Sequence, residues 1–349
     1  MKKIIVTGGS GFIGTNFIFN QLNYTSNEIL NYDLLTYAGN KQNHIANEKN
    51  KNYSFMHGDI ADSKKIKKAF STLKPDVLVN FAAETHVDRS IDSPEIFVNT
   101  NIIGTINILK MSQDWLKSNP LFKFIHVSTD EVFGSLDNNE LPFSERHPYK
   151  PNSPYSSSKA SSDFFVRAWN KTYGLPTIIT NCSNNYGPYQ FPEKLIPLVI
   201  VNCINEKTLP VYGDGSNIRD WIYVDDHCSA LNAIIKDGNF GQTYNIGGNN
   251  EIKNIDIVKY ICNSLDKLKP RSNGKPYSYL IEFVEDRPGH DFRYSVDCSK
   301  IHKELNWKQK ETFKTGIQKT IQWYLENESW WRKIQKETYH QQRLGTKKS

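Results

Sequence analysis

The chain begins with an apolar, β-branched run that breaks into glycines and resumes as a helical pattern: Lys3-Ile4-Ile5-Val6-Thr7-Gly8-Gly9-Ser10-Gly11-Phe12-Ile13-Gly14. Few features restrict a fold so tightly. Glycines at 8, 11 and 14 supply a tight turn that accepts positive φ, a close backbone approach to a pyrophosphate, and close helix–strand packing. The start of the helix then offers N–H groups without intrahelical partners to an anion. The expectation is a dinucleotide-binding strand–loop–helix, with Gly8, Gly11, Phe12, Ile13 and Gly14 against the cofactor.

The pattern that follows agrees. Strands are expected over 3–7, 28–32, 53–57, 77–82, 122–128 and 177–181, alternating with helices over 12–22, 64–73, 95–116 and 157–173. Apolar strands alternating with helices imply a parallel sheet covered on both faces. Asp33, about twenty residues beyond the loop, is placed to accept hydrogen bonds from the adenosine ribose, which favours NAD over NADP. Asp59, after the third strand, suits the adenine edge. Beyond Asn181 proline and glycine become denser, with strands expected over 221–225, 243–246 and 281–285 and helices over 227–236, 254–268 and 312–326. The fold class is therefore α/β: a Rossmann-type doubly wound parallel sheet with an interleaved smaller α/β substrate domain. The expected division is residues 1–180 completed by about 221–246, then 181–330, then a basic tail from 331 to 349.

Tyr155 and Lys159 are spaced i, i+4, so a helix carries them on one face. An ammonium and a positive nicotinamide ring nearby favour the phenolate, lowering the tyrosine toward neutrality as a base for alcohol oxidation. Upstream, the strand over 122–128 runs into Ser128-Thr129-Asp130-Glu131, at a carboxyl end where open α/β sheets bind ligands. Two adjacent carboxylates in a dry pocket cannot both ionise cheaply, so one becomes an acid and the other a base.

These segments, together with Tyr37-Ala38-Gly39-Asn40, Ala82-Ala83-Glu84-Thr85-His86-Val87-Asp88-Arg89-Ser90, Asn181-Cys182-Ser183-Asn184-Asn185-Tyr186-Gly187-Pro188, Phe191-Pro192-Glu193-Lys194-Leu195-Ile196-Pro197, Ile218-Arg219-Asp220-Trp221 and Asp286-Arg287-Pro288-Gly289-His290-Asp291, resemble the extended short-chain dehydrogenase/reductase family, and within it the dTDP-glucose 4,6-dehydratases. The similarity spans about residues 1–328; Phe133 stands where the family usually has Tyr. The resemblance implies C4 oxidation of a nucleotide-diphosphate sugar, dTDP-glucose first, by NAD, then loss of water across C5 and C6, then hydride return to C6. Thr129 would orient the sugar hydroxyl, Tyr155 take its proton, Glu131 remove the C5 proton, and protonated Asp130 donate to the departing C6 hydroxyl. The implied cofactor contacts extend to Leu34, Leu35, Thr36, Ile60, Ala82, Ala83, Thr85, Thr100 and Asn185, and the substrate contacts are Thr85, Thr129, Asn184, Lys194, Leu195, Pro210, Tyr212, Arg219, Asn254, Arg287 and His290. Arginines at 219 and 287 suit a diphosphate because the planar guanidinium donates in pairs. A homodimer through helices over 101–115 and 155–170 is implied too, as a four-helix bundle. His86 reads as structural.

Epimerases and decarboxylases of nucleotide sugars share the Tyr–Lys pair but need no acid at C6, so Asp130 beside Glu131 argues against them. UDP-glucose stays open, because one methyl separates thymine from uracil. A regulator or RNA binder that has lost its chemistry would show damage at Tyr155, Lys159 or the acidic pair, and all are intact. The net charge of +6 resides mostly in 331–349, where Arg332, Lys333, Lys336, Arg343, Lys347 and Lys348 face Glu337 alone. The body is then nearly neutral, and neither nucleic acid nor membrane is an expected partner. The five cysteines are scattered without a C-x-x-C pair, reading as reduced and buried, with no metal site. No leader-like or membrane-spanning run is apparent, and a cytoplasmic protein is the expectation.

Overall fold

A computed structural model describes residues 1–337. Its strands are β1 (Lys3–Thr7), β2 (Glu28–Asp33), β3 (Tyr53–His57), β4 (Val77–Asn80), β5 (Lys123–Thr129), β6 (Thr177–Cys182), β7 (Asn184–Tyr186), β8 (Leu209–Tyr212), β9 (Ile218–Tyr223), β10 (Thr243–Ile246), β11 (Glu251–Lys253) and β12 (Ile281–Val284). Seven form one parallel sheet in the order β10-β6-β5-β4-β1-β2-β3. The order reverses between β1 and β4, and this switch point places the glycine loop at the crevice above the strand ends. Strands such as β4 and β6 are buried along their whole length, as strands covered on both faces must be.

The chain crosses between its two parts more than once. After β6 it builds a three-stranded sheet, β11-β9-β7, and the pair β12-β8. It returns to the large sheet through the helix Val224–Asp237 and β10, so β9 belongs to the smaller part although its neighbours complete the larger one. The smaller part has its own core, with Ile196, Ile200, Val211, Trp221, Ile257, Ile261, Ile317 and Trp331 in contact.

Two of the expected segments take another form. The helix expected over 95–116 is interrupted: Pro94–Phe97 and Thr105–Leu116 flank a π-helical stretch, Val98–Gly104. Such widened turns inside helices concentrate at functional sites. Here it sets Thr100 in the cleft wall, while Asn101 holds the 84 backbone at both ends, accepting from the Glu84 N–H (2.9 Å) and donating to its carbonyl (3.0 Å). The second departure is the tail. Residues 331–337, expected as the start of a basic tail, lie in a helix, Glu328–Glu337, that buries Trp331 and Ile334. Basic residues sit on its outer face, and the apolar indole dictates the docking. Residues 338–349 of the expected tail lie outside the described residues. All five cysteines are buried and unpaired.

Candidate active site

The glycine loop divides into two kinds of position. At Gly8 (φ +69°) a Cβ would fall 2.6 Å from the Ala82 nitrogen, and at Gly14 it would fall 2.4 Å from the Gly8 carbonyl oxygen. Both are glycine because the protein itself fills the space. At Gly11 a Cβ would meet only the Gly8 oxygen, at 3.4 Å, an ordinary contact. Gly11 is also the cap of the helix Phe12–Tyr24 and supplies no side chain to its first N–H groups. An uncapped helix start beside open space is an anion cradle. Asp33 closes the far side, its two oxygens accepting from the Ser10 N–H (2.9 Å) and the Leu35 N–H (2.7 Å). These residues fit a dinucleotide.

Above the strand ends lies a cleft of about 1570 Å³, counting its open mouth. It is lined by every residue expected to meet the cofactor except Leu35, whose backbone at φ +55° turns the chain past Asp33. Thr129, Asp130, Glu131, Tyr155 and Lys159 line the same cleft, with Thr85, Asn184 and Lys194. The glycine loop and the five catalytic candidates thus share one cavity.

β5 ends at Thr129, and the chain tightens at once into a 3₁₀ turn, Asp130–Phe133, capped by the Thr129 hydroxyl. Consecutive residues on a regular strand would point to opposite faces; the turn is what brings Asp130 and Glu131 into one cleft. Asp130 is 1 % exposed, and its Oδ2 has no hydrogen-bond partner in the protein. Burial, then Glu131 and Asp220, push its carboxyl well above the usual range. Burial raises Glu131 too, but Arg287, Lys194 and Arg219 oppose it. One carboxyl is thus driven toward the acid form and its neighbour is surrounded by cations. That asymmetry is what a paired acid and base require.

Tyr155 and Lys159 lie on the helix Pro154–Tyr173, whose start is fixed by a capping box through Ser153 and Ser156. Lys159 is 3 % exposed, and its Nζ donates to the Val127 carbonyl at 2.8 Å. The expectation that the tyrosine lies near neutrality does not describe the protein's own groups. Burial, then Glu131 and Cys182, hold Tyr155 as a phenol well above its ordinary value, while a hydrogen bond to Thr129 acts the other way. The positive charge that would lower it must come from the Lys159 ammonium and the oxidised nicotinamide ring together.

The remaining expected contacts divide by placement. Lys194 precedes the helix Leu195–Ile204 and donates to the Thr85 carbonyl at 3.0 Å. Asn254 opens the helix Asn254–Leu268 with its Oδ1 buried and unpartnered. Arg287 pairs with Asp88 at 3.4 Å and keeps a buried Nε without a partner. Tyr212 donates to the other Asp88 oxygen (3.1 Å), and His290 lies against Asp286 at 2.6 Å. Arg219 is different: its guanidinium donates to the carbonyls of Ile218, Asp291 and Phe292 and stacks 4.3 Å from the Tyr294 ring centre. Much of its donor capacity is spent on backbone, so of the two arginines Arg287 is the freer for a diphosphate. Leu195, Pro210, Tyr212, Arg219, Asn254, Arg287 and His290 lie outside the cleft wall proper, on the smaller part. Glu84 and Glu193 line it and were not singled out from sequence; Glu193 is bound twice by Arg89 at 3.1 Å. Its place beside Lys194 in Phe191-Pro192-Glu193-Lys194 was the available signal. His86 is buried beside Glu193 at 4.0 Å and held neutral, first by burial and then by neighbouring cations.

Comparison with known proteins agrees with this geometry. Residues 5–320 match the family model described as GDP-mannose 4,6 dehydratase. A dTDP-glucose 4,6-dehydratase from Neisseria meningitidis serogroup B is 50% identical, with 100% of each chain covered. The chain belongs to the dTDP-glucose 4,6-dehydratase family. Two dTDP-glucose 4,6-dehydratases solved with NAD bound have its fold. The Bacillus anthracis enzyme has a TM-score of 0.85 at 45% identity, covering 96% of this chain and 100% of that one. The Streptomyces venezuelae enzyme has a TM-score of 0.88 at 41% identity, covering 95% and 99%. Among dTDP-glucose 4,6-dehydratases, therefore, the similarity spans both parts of the fold, including the segments that carry the cleft.

Proposed function

We propose that the chain converts dTDP-glucose to dTDP-4-keto-6-deoxyglucose and water, with NAD held by the glycine loop and Asp33. When bound, NAD supplies the acceptor for the hydride from C4 and its donor back to C6. Thr129 orients the C4 hydroxyl and Tyr155 accepts its proton, with Lys159 favouring the phenolate. Glu131 withdraws the proton at C5, made acidic by the new ketone, and returns a proton to C5 when hydride reaches C6. Asp130 gives its proton to the C6 hydroxyl, which departs as water. The observation that carries this reading is the unequal pair: a buried Asp130 carboxyl with an unpartnered oxygen, beside a Glu131 that faces Arg287, Lys194 and Arg219. Oxidation and re-reduction at C4 alone would have no task for that acid.

The deciding experiment incubates the protein with dTDP-glucose and with UDP-glucose and follows product mass. Loss of one water from the dTDP sugar, faster than from the UDP sugar, is expected. An epimer of unchanged mass refutes the reading. We also propose a homodimer, supported by exposed Ile96, Val98 and Ile103 near one helix face and Phe164 on the helix Pro154–Tyr173. A cytoplasmic setting is supported by five unpaired thiols. No helix among the described residues is long and apolar enough to cross a membrane.

A further inference from the structure

One buried polar group has no part in the mechanism above. Asp163 lies one turn beyond Lys159 on the helix Pro154–Tyr173 and is 1 % exposed. Its Oδ2 accepts from the Ser128 hydroxyl (2.8 Å), the Tyr149 hydroxyl (3.0 Å) and the Asn181 amide (3.3 Å). Its Oδ1 lies 3.4 Å from Nε2 of His126, which is also fully buried. The donors come from β5, β6 and the loop before the helix and all meet Oδ2, while the buried Oδ1 has no hydrogen-bond partner.

The tautomer of His126 follows from a chain of contacts. The Thr7 hydroxyl donates to Oδ1 of Asn80 at 2.6 Å, which turns the Asn80 amide nitrogen toward Nδ1 of His126 at 3.1 Å. An amide N–H can only donate, so Nδ1 is the acceptor and the imidazole proton resides on Nε2, facing Ser162 and Asp163. Burial, and then Lys159, hold this imidazole neutral, lowering it to about 4. All four groups arranged around Asp163 are therefore neutral dipoles. They orient the carboxylate without cancelling its charge, which stays available to the ammonium one turn away.

We propose that Asp163 is the positioning residue that keeps the Lys159 ammonium charged beside Tyr155 during C4 oxidation. Burial lowers Lys159 from its ordinary value, and Asp163 is the leading influence in the opposite direction. The other titratable groups around it do not replace that role. Cys182 on β6 is a thiol pushed up to about 12 by burial, and Tyr155 is a phenol on the same helix. Tyr149, raised by burial and Asp163, donates to that carboxylate, and Arg167 from the same helix acts on Tyr149.

The sign is definite. Without the carboxylate the buried ammonium loses its proton at lower pH, and the neutral amine no longer favours the phenolate. C4 oxidation should then fail from the alkaline side first. The inference rests on the proposed roles of Tyr155 and Lys159, and the test separates the two. C4 oxidation is followed against pH by the absorbance of reduced nicotinamide in an Asp130→Asn background, where Asp130 can no longer set an alkaline limb. Adding Asp163→Asn should move the alkaline midpoint down by about one unit or more. Ser128→Ala, which removes a donor but leaves the charge, should leave the midpoint in place, and Asp163→Glu should restore it. Asp163→Ser provides the neutral variant if the amide does not fold among these donors. An unmoved midpoint in a folded neutral variant, or an equal shift in Ser128→Ala, overturns the inference. Full-rate nicotinamide reduction by Tyr155→Phe would instead overturn the Tyr155 reading beneath it.

Discussion

Gly11 and Gly14 allow the cofactor cradle to be tested by two methyl groups that both weaken NAD binding but differ in their effect on stability. At Gly14 the added Cβ would lie 2.4 Å from the Gly8 oxygen and 2.7 Å from Gly9 Cα. Both neighbours are backbone, so the loop must retreat by about 1 Å, and overpacking of this kind costs about 1–3 kcal/mol. Gly14→Ala should therefore melt lower, by roughly 2–4 °C for each kcal/mol, and bind NAD more weakly by about 5–150-fold. Gly11→Ala meets no such obstacle in the protein: its backbone is at φ −78°, ψ 179°, and its nearest contact is 3.4 Å. Its melting temperature should stay within about 2 °C of the parent. Its methyl nevertheless projects into the approach to the helix start, so NAD should bind at least about tenfold more weakly. The assay is thermal unfolding of cofactor-stripped protein with and without NAD, alongside a direct titration. Parental NAD affinity in Gly11→Ala would show that the pyrophosphate does not approach there, and the cradle argument would fall.

Asp130→Asn should slow water loss by about 10²–10⁴-fold while leaving C4 oxidation, seen as nicotinamide absorbance without loss of water in the product mass. Turnover should be bell-shaped in pH: Glu131, raised by burial, loses its basic form as pH falls through its value, and Asp130, raised further, loses its proton as pH rises through its own. A flat profile from acid to alkali would contradict both roles. Trp331→Ala should destabilise the smaller part by about 3–5 kcal/mol in denaturant unfolding, because the indole is fully buried and donates to the Tyr324 carbonyl at 2.9 Å. Phe164→Glu, at a side chain 58 % exposed in this single chain, should produce monomers in sedimentation if the helix face is the proposed interface.

What was legible beforehand was what short sequence carries. The glycine loop, Asp33 at the end of β2, Thr129-Asp130-Glu131 at the end of β5 and the Tyr155–Lys159 spacing each need only one strand end or one helical turn. The helix Leu195–Ile204 was not foreseen because Leu195-Ile196-Pro197-Leu198-Val199-Ile200-Val201 is apolar nearly throughout, leaving no period to distinguish buried helix from buried strand. The inward turn of Arg219 depends on carbonyls at 291 and 292, far away in sequence. Asp163 looked like any polar residue on an amphipathic helix, because its partners come from 126, 128, 149 and 181. The helical end at 328–337 is masked in the sequence by its charge, because six basic residues over 331–349 surround one tryptophan.

The π-helical stretch Val98–Gly104 also acts as a phase adjuster between two surfaces. A regular helix advances about 100° per residue, so deleting one residue from the widened turn would rotate Pro94–Phe97 by that angle against Thr105–Leu116. Thr100 in the cleft and the exposed Ile96, Val98 and Ile103 could not then both keep their bearings. The length of this segment is accordingly a harder constraint than its composition: substitutions there are graded, but a single insertion or deletion sets the cofactor wall against the outer face.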